Sequence, residues 1–303
     1  MSDVLVVGES LVDIVRGRDG EPDEEYAGGS AANVAVALAR LCRPVRFATS
    51  FADDRYGRMI AAHLEASGVR LAVDPGAVER TSTAVATLAA DGSASYSFDL
   101  EWRLGPVPDE PLPLVVHTCS LGAVLAPGAD DVHALLSRLH GRATITYDVN
   151  ARPAITGSGA AVTASVERIV ALADLVKASD EDLAALYPDL PAGDAARRLL
   201  GLGPAAVVVT HGGEGARWIS VTGETDVASV AVEVADTIGA GDTFGAAIVD
   251  ALWERGLLGP GARAVLAALS ADEITEILGH AARAAAVTVS RPGADPPWRA
   301  ELG

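Results

Sequence analysis

Short apolar runs alternate with longer stretches of helical periodicity along most of the chain, and this alternation limits the fold more than any other feature. Val4–Val7, Ala143–Val149, Leu175–Val176 and Ala205–Val209 read as buried strands. Ala32–Leu41, Tyr56–Ser67, Asp130–Leu139, Thr163–Ala173, Asp194–Leu200 and Thr243–Glu254 read as helices. Strands separated by helices build βαβ units, so the expected class is α/β, a mostly parallel sheet flanked by helices. Sheets of this kind bind ligands beyond the carboxyl ends of their strands. Polar groups follow the strands here: Gly8-Glu9, Asp148 and Asn150, Lys177 and Ser179, Thr210 and Gly212. Their convergence on one edge predicts a single cleft in a single domain over residues 1–303.

The segment Asp236-Thr237-Ile238-Gly239-Ala240-Gly241-Asp242-Thr243-Phe244 runs from a small, glycine-rich loop straight into a helix. Phe244, Ile248, Ala251 and Leu252 fall at helical spacing, which starts the helix close to Asp242. Gly239 and Gly241 let a ligand approach the backbone, and the free N–H groups of the first turn attract anions. A carboxylate beside a phosphate cradle repels it, so simple binding does not account for Asp242. A base that takes a proton from an attacking hydroxyl does. Two other readings compete. One is an ordinary turn with Asp242 as N-cap. The other is a dinucleotide fingerprint, although Gly239, Gly241 and Gly245 are spaced one residue too long for it.

D-T-I-G-A-G-D-T-F resembles the signature of the ribokinase-like (PfkB) carbohydrate kinases. The resemblance implies that Asp242 is the catalytic base and that the backbone of Gly239, Ala240 and Gly241 forms an anion hole for the transferred phosphoryl. Gly28-Gly29-Ser30-Ala31-Ala32-Asn33 resembles the family's N-terminal G-G-x-x-x-N signature. It implies that Gly28 and Gly29 admit the substrate and that Asn33 pairs with sugar hydroxyls. Asp13, in Gly8-Glu9-Ser10-Leu11-Val12-Asp13, is similar to the family's sugar-binding aspartate, and a carboxylate suits a diol. The alternative for Asp13 is a solvated turn residue.

Asp148-Val149-Asn150-Ala151-Arg152-Pro153 looks like the D-x-N-x-R segment of fructokinases and keto-deoxy-sugar kinases. Arg152 would reach the sugar or the transferring phosphate, while a structural salt bridge is the alternative for Asp148. Lys177-Ala178-Ser179-Asp180-Glu181-Asp182 stands where the family has N-x-x-E, a segment that positions Mg²⁺ through water. Lys177 falls with the cofactor-binding residues and Asp182 with the metal. Ser179 and Asp182 replace the family residues, and Ser179 also fits an N-cap for a helix reaching Leu186. Thr210-His211-Gly212-Gly213-Glu214-Gly215 resembles the T-x-G-x-x-G turn beneath the ATP phosphates, implying that Thr210, Gly212 and Gly215 bind the nucleotide.

One region breaks the strand–helix rhythm. Thr81–Leu88 and Ser95–Leu100 flank Asp91-Gly92, and a second hairpin is expected around Asp19-Gly20. Together, near residues 12–27 and 81–104, they would form a small β-hairpin lid, with Phe98 and Trp102 covering a sugar ring. An edge hairpin of the main sheet is the alternative. Lid hairpins in this family often meet across a homodimer. The acidic Glu21–Glu25 run reads as a solvated loop, and Pro292–Pro297 with Trp298 as a surface tail near the nucleotide site.

The formal net charge of −18 argues against a nucleic-acid partner. It also requires local help for an anionic triphosphate: backbone N–H groups, a divalent cation and a few placed cations. Lys177 is the single lysine and Ala178 follows it, so there is no Walker A motif. No apolar run is long enough to cross a bilayer. The start, Asp3 and then Val4–Val7, reads as a strand and not a signal peptide. Two cysteines make no disulfide framework, and a cytoplasmic setting is expected. The whole points to an ATP- and Mg²⁺-dependent sugar kinase acting on a primary hydroxyl, with a monovalent cation such as K⁺ as a further cofactor the family allows. Fructose is the first substrate; 2-keto-3-deoxygluconate, ribose or another ketose stay open. The reading from another class is a non-catalytic nucleotide- or sugar-binding protein of the same fold.

Overall fold

Nine strands form one sheet in the order Gly223–Val227, Ala216–Ser220, Ala206–Thr210, Leu175–Ser179, Thr144–Asp148, Val115–Cys119, Val4–Val7, Val45–Ala48, Arg70–Leu71. This is a computed structural model, and it describes residues 2–17, 22–88 and 94–303. From Ala206–Thr210 to Arg70–Leu71 every neighbouring pair is parallel; Ala216–Ser220 and Gly223–Val227 add an antiparallel edge. Central strands such as Val4–Val7 and Val115–Cys119 are buried at every position, as central strands are when helices cover both faces of the sheet. The helices Ala240–Glu254 and Ala271–Val289 pack against each other on one face, and Ser30–Arg40 joins them. Gly128–Leu139 and Ala160–Val170 cover the other face through a core that includes Leu135, Ile145, Ile169 and Val176.

A second sheet of four strands stands beside the cleft in the order Glu24–Gly28, Leu11–Val15, Thr83–Leu88, Ala94–Asp99. Its two antiparallel pairs are joined by the parallel pairing of Leu11–Val15 with Thr83–Leu88. The turns expected at Asp19-Gly20 and Asp91-Gly92 lie outside the described residues. One face of this sheet, Val12, Ile14 and Val85, packs into the cluster that holds Met59 and Ile60. Each such buried aliphatic side chain is worth roughly 1.5–3 kcal/mol. Directly paired residues share a face, so Tyr26, Asp13, Ala84 and Phe98 form one row across the opposite face.

Several expectations change. Glu24 and Glu25 are not loop but strand, and Glu25 pairs with Arg55 and accepts from Tyr56. Trp102 does not cover the cleft: it lies past the end of Ala94–Asp99, buried in the core, with its indole N–H on the Gly122 carbonyl at 3.1 Å. Trp298 stays half exposed beneath the Arg40 guanidinium. The strands Val45–Ala48 and Val115–Cys119 and the helix Ala271–Val289 were not singled out in the sequence. That helix opens with a capping box between Ser270 and Glu273. Among the described residues no helix is long and apolar enough to cross a membrane.

Candidate active site

The helix Ala240–Glu254 begins at Gly239, whose φ of 75° is the left-handed conformation glycine adopts without cost. A Cβ on Gly239 would also stand 2.7 Å from that of Ala294, so the tail after Ala271–Val289 packs directly on this loop. The helix start has no side-chain cap, and the Ala240 N–H turns back to Thr237. The N–H groups of Gly241 and Asp242 are left for an outside acceptor, at the positive end of the helix dipole.

Asp242 sits inside this first turn with its carboxylate buried. Ser30 Oγ donates to Oδ1 at 2.7 Å and Asn33 Nδ2 to Oδ2 at 2.8 Å. Asn150 Nδ2 is 3.3 Å from Oδ1 and 2.8 Å from Ser30 Oγ. Burial pushes the Asp242 carboxyl above the usual range, and the Ser30 and Asn33 hydrogen bonds and the charges of Lys177 and Arg152 pull it back. A buried carboxylate held by donors rather than by a salt bridge suits a base. The ordinary N-cap reading fails, because Gly239 and not Asp242 is the N-cap.

Below this turn, Lys177 Nζ lies 2.8 Å from Asp148 Oδ2, both buried. A Cβ on Gly241 would be 3.4 Å from Lys177 Nζ, so the ammonium lies against the loop from behind. Burial opposes its charge, and the Asp148 carboxylate more than offsets that, so Lys177 stays charged. Asp148 thus takes the structural salt bridge. Asp182 and Ser179 form a capping box, and Asp182 Oδ1 also accepts from the Ala151 N–H at 2.7 Å. Thr210 ends its strand, Gly212 opens a short 3₁₀ turn and Gly215 closes it at φ 118°. His211 lies 3.3 Å from Asp180.

The second sheet brings the remaining residues. Asp13 is the exposed position of Leu11–Val15, on the face opposite Val12 and Ile14. Loss of solvation raises its carboxyl to about 6, with Arg152 opposing. Gly28 has no Cβ because the Asp13 carboxylate occupies that space. Gly29 is the N-cap of Ser30–Arg40, which aims Ser30 and Asn33 at Asp242. Phe98 stacks parallel to Tyr96 at 6.2 Å. Arg152 donates to the Ala151 carbonyl, and its charge acts on Asp13, Glu9 and Asp242 alike.

Three residues of this constellation had no assigned role in the sequence. Ser30 and Asn150 donate to Asp242, and both lie inside motifs whose other residues carry the expected roles. Glu9 is buried behind the site, accepting from the Gly122 N–H at 2.6 Å, and burial raises its carboxyl to about 7.

Comparison with known proteins gives the family. The chain is 35% identical over 265 residues to a fructokinase of Rhizobium leguminosarum bv. trifolii, covering 82% of this chain and 79% of the relative. The fructokinase of Xylella fastidiosa with bound ATP superimposes with a TM-score of 0.85 at 26% identity, over 99% of this chain and 96% of that one. A double mutant of the fructokinase of Vibrio cholerae O395, in fructose-, ADP- and potassium-ion-bound form, gives a TM-score of 0.74 at 27% identity, over 97% and 94% of the two chains. The family model for pfkB family carbohydrate kinases matches residues 1–301. With that match over nearly its full length, and a relative above 30% identity, the chain belongs to the pfkB family of carbohydrate kinases.

Proposed function

We propose that this kinase uses ATP to phosphorylate a primary hydroxyl of a small sugar, with fructose as its first substrate. The observation that carries the reading is Asp242, a buried carboxylate in the first turn of a helix whose start has no side-chain cap. Asp242 takes the hydroxyl proton as the sugar oxygen attacks the terminal phosphorus. The N–H groups of Gly241 and Asp242, with Lys177 behind the loop, hold the charge on the moving phosphoryl. Arg152 supplies a cation from the open side. Asp13 accepts from sugar hydroxyls, and Phe98 lies on the same face of the second sheet.

Among the described residues no group of three or more His, Cys, Asp or Glu could hold a metal ion. That fits a magnesium ion carried chiefly by the nucleotide phosphates, with Asp182 acting through water. When bound, the ion neutralises phosphate charge that an acidic protein would otherwise repel. The fructose and potassium ion seen in the Vibrio cholerae protein support the sugar and cation assignments by relationship.

We read the second sheet as a lid and as the surface of a homodimer, since Tyr26 and Tyr96 are more than half exposed on its open face. Sedimentation over a concentration series checks the dimer, and a monomer throughout removes it. The function is tested by ADP release over a panel of fructose, 2-keto-3-deoxygluconate, ribose and other ketoses, with and without Mg²⁺, in K⁺ or Na⁺. Fructose should give the highest kcat/KM and sugar-free ATP hydrolysis should be slow. No ADP with any sugar would return the chain to a binding protein. Rapid hydrolysis without sugar would count against the lid.

A further inference from the structure

We propose that Asn150 is a positioning residue that orients Asp242 and sets its proton affinity. The proposal rests on the reading of Asp242 as the base and adds how that base is held. Asn150 follows the strand Thr144–Asp148 with φ 36°, and Ser120 follows the neighbouring strand Val115–Cys119 with φ 48°. Left-handed backbone at non-glycine residues costs energy and persists where the surroundings impose it. Here the two turns are pinned together, because Ser120 Oγ donates to the Asn150 carbonyl at 3.0 Å.

The result of this backbone is the direction of one amide. Asn150 Nδ2 has two hydrogens and two acceptors, Ser30 Oγ at 2.8 Å and Asp242 Oδ1 at 3.3 Å. The reverse orientation would place the amide oxygen against a carboxylate, so the nitrogen-inward arrangement is the favourable one. Ser30 has a single hydroxyl hydrogen and two acceptors in reach, Asp242 Oδ1 at 2.7 Å and Cys119 Sγ at 3.1 Å. Donation from Asn150 into the Ser30 oxygen polarises that hydroxyl toward the charged acceptor. Asn150 therefore acts on the base twice, directly and through Ser30, while Asn33 holds the other oxygen.

Donors to the charged form lower a carboxyl pKa, so Asn150 opposes the rise that burial imposes on Asp242. The other charged or titratable groups around Asp242 are Lys177, Arg152, Glu9, Asp148 and Cys119. Lys177, Glu9 and Cys119 belong to other strands and loops, whereas Asp148 and Arg152 flank Asn150 in its own segment, with Arg152 on the Asn150 carbonyl at 3.5 Å, a backbone contact that both substitutions retain.

Two variants test the assignment by single-turnover rate against pH. Asn150→Gly suits the left-handed backbone and deletes both donors. Asn150→Asp keeps the shape but sets a second carboxylate against Asp242. For Asn150→Gly the plateau rate should fall about 10–100-fold and the acid limb should move up by about 0.5–1 pH unit, with both KM values within about threefold. Asn150→Asp should move the limb further and recover part of its rate at higher pH. A folded variant of either kind with a wild-type limb overturns the proposal, whether or not its rate is reduced, because a purely structural role would leave the limb alone. Asp242→Asn in the same assay separates the two readings. If it stays active, the base assignment itself fails; if it is inactive while the Asn150 limbs are unmoved, only the positioning role fails.

Discussion

The two ends of the cleft are built in opposite ways. The phosphoryl end is buried and cross-tied: Ser30 and Asn33, more than 200 residues from Asp242 in the chain, meet its two oxygens, and Gly239 lies against Ala294. The proposed sugar end is a half-open sheet face where, among the described residues, Asp13 has no such partners and Tyr26 and Tyr96 are exposed. A buried site whose donors are already in place reorganises little during reaction, which is what electrostatic stabilisation of a transition state needs. An open face completed by its ligand leaves room for different sugars and can close on binding. On the proposed reading the chemistry is preorganised, whereas substrate choice would rest on a few side chains of the second sheet.

The largest expected effect tests the preorganised end. Asp242→Asn keeps shape and loses the proton acceptor, so kcat should fall on the order of 10²–10⁴-fold. ATP affinity, measured by titration calorimetry, should persist. Activity within tenfold of the native protein would remove Asp242 from the mechanism.

A smaller effect tests the open end. Asp13→Ala should cost roughly 1–3 kcal/mol in kcat/KM for the sugar and leave ATP binding largely unchanged. The Asp13 carboxyl is raised to about 6, so in the native protein the sugar KM should rise as pH falls through 6. The Ala variant should lose that dependence. If ATP binding fails first, the two ends have been assigned in reverse.

A change in stability, not in activity, tests the buried Glu9 behind the site. Glu9 titrates near 7 in the folded protein against an ordinary 4.5, so its ionisation is disfavoured by folding. Below pH 4.5 the acid is neutral in both states and nothing is lost; as pH rises through 7 the folded state loses that advantage in full. Glu9→Gln keeps an acceptor for the Gly122 N–H and removes the ionisation. Denaturant unfolding should show a gain on the order of 1–3 kcal/mol near pH 8 that fades toward pH 4.5. An equal effect at both pH values would mean that the carboxyl is not buried as a neutral acid.

The sequence by itself determined the class of fold and the turn on which the proposed chemistry is centred. Continuous apolar runs such as Val4–Val7, set between helical patterns, admit little besides a parallel sheet with covered faces, and D-T-I-G-A-G-D places a carboxylate and free N–H groups in one turn regardless of the rest of the chain. Both are local facts, written within a few residues. The strand Val45–Ala48 is not legible as Val4–Val7 is, because Arg46 interrupts its apolar run, and its pairing with Val4–Val7 exists only in the sheet. Trp102 could not be placed from its neighbours, since its indole is received by Gly122 and Gly128, distant in the chain. Only the tertiary structure decided that Ser30, Asn33 and Asn150 converge on Asp242, that Lys177 pairs with Asp148 below the loop, and that Asp13 shares a face with Phe98. Those relations join residues far apart in the chain, and neither spacing nor composition encodes a distance between strands.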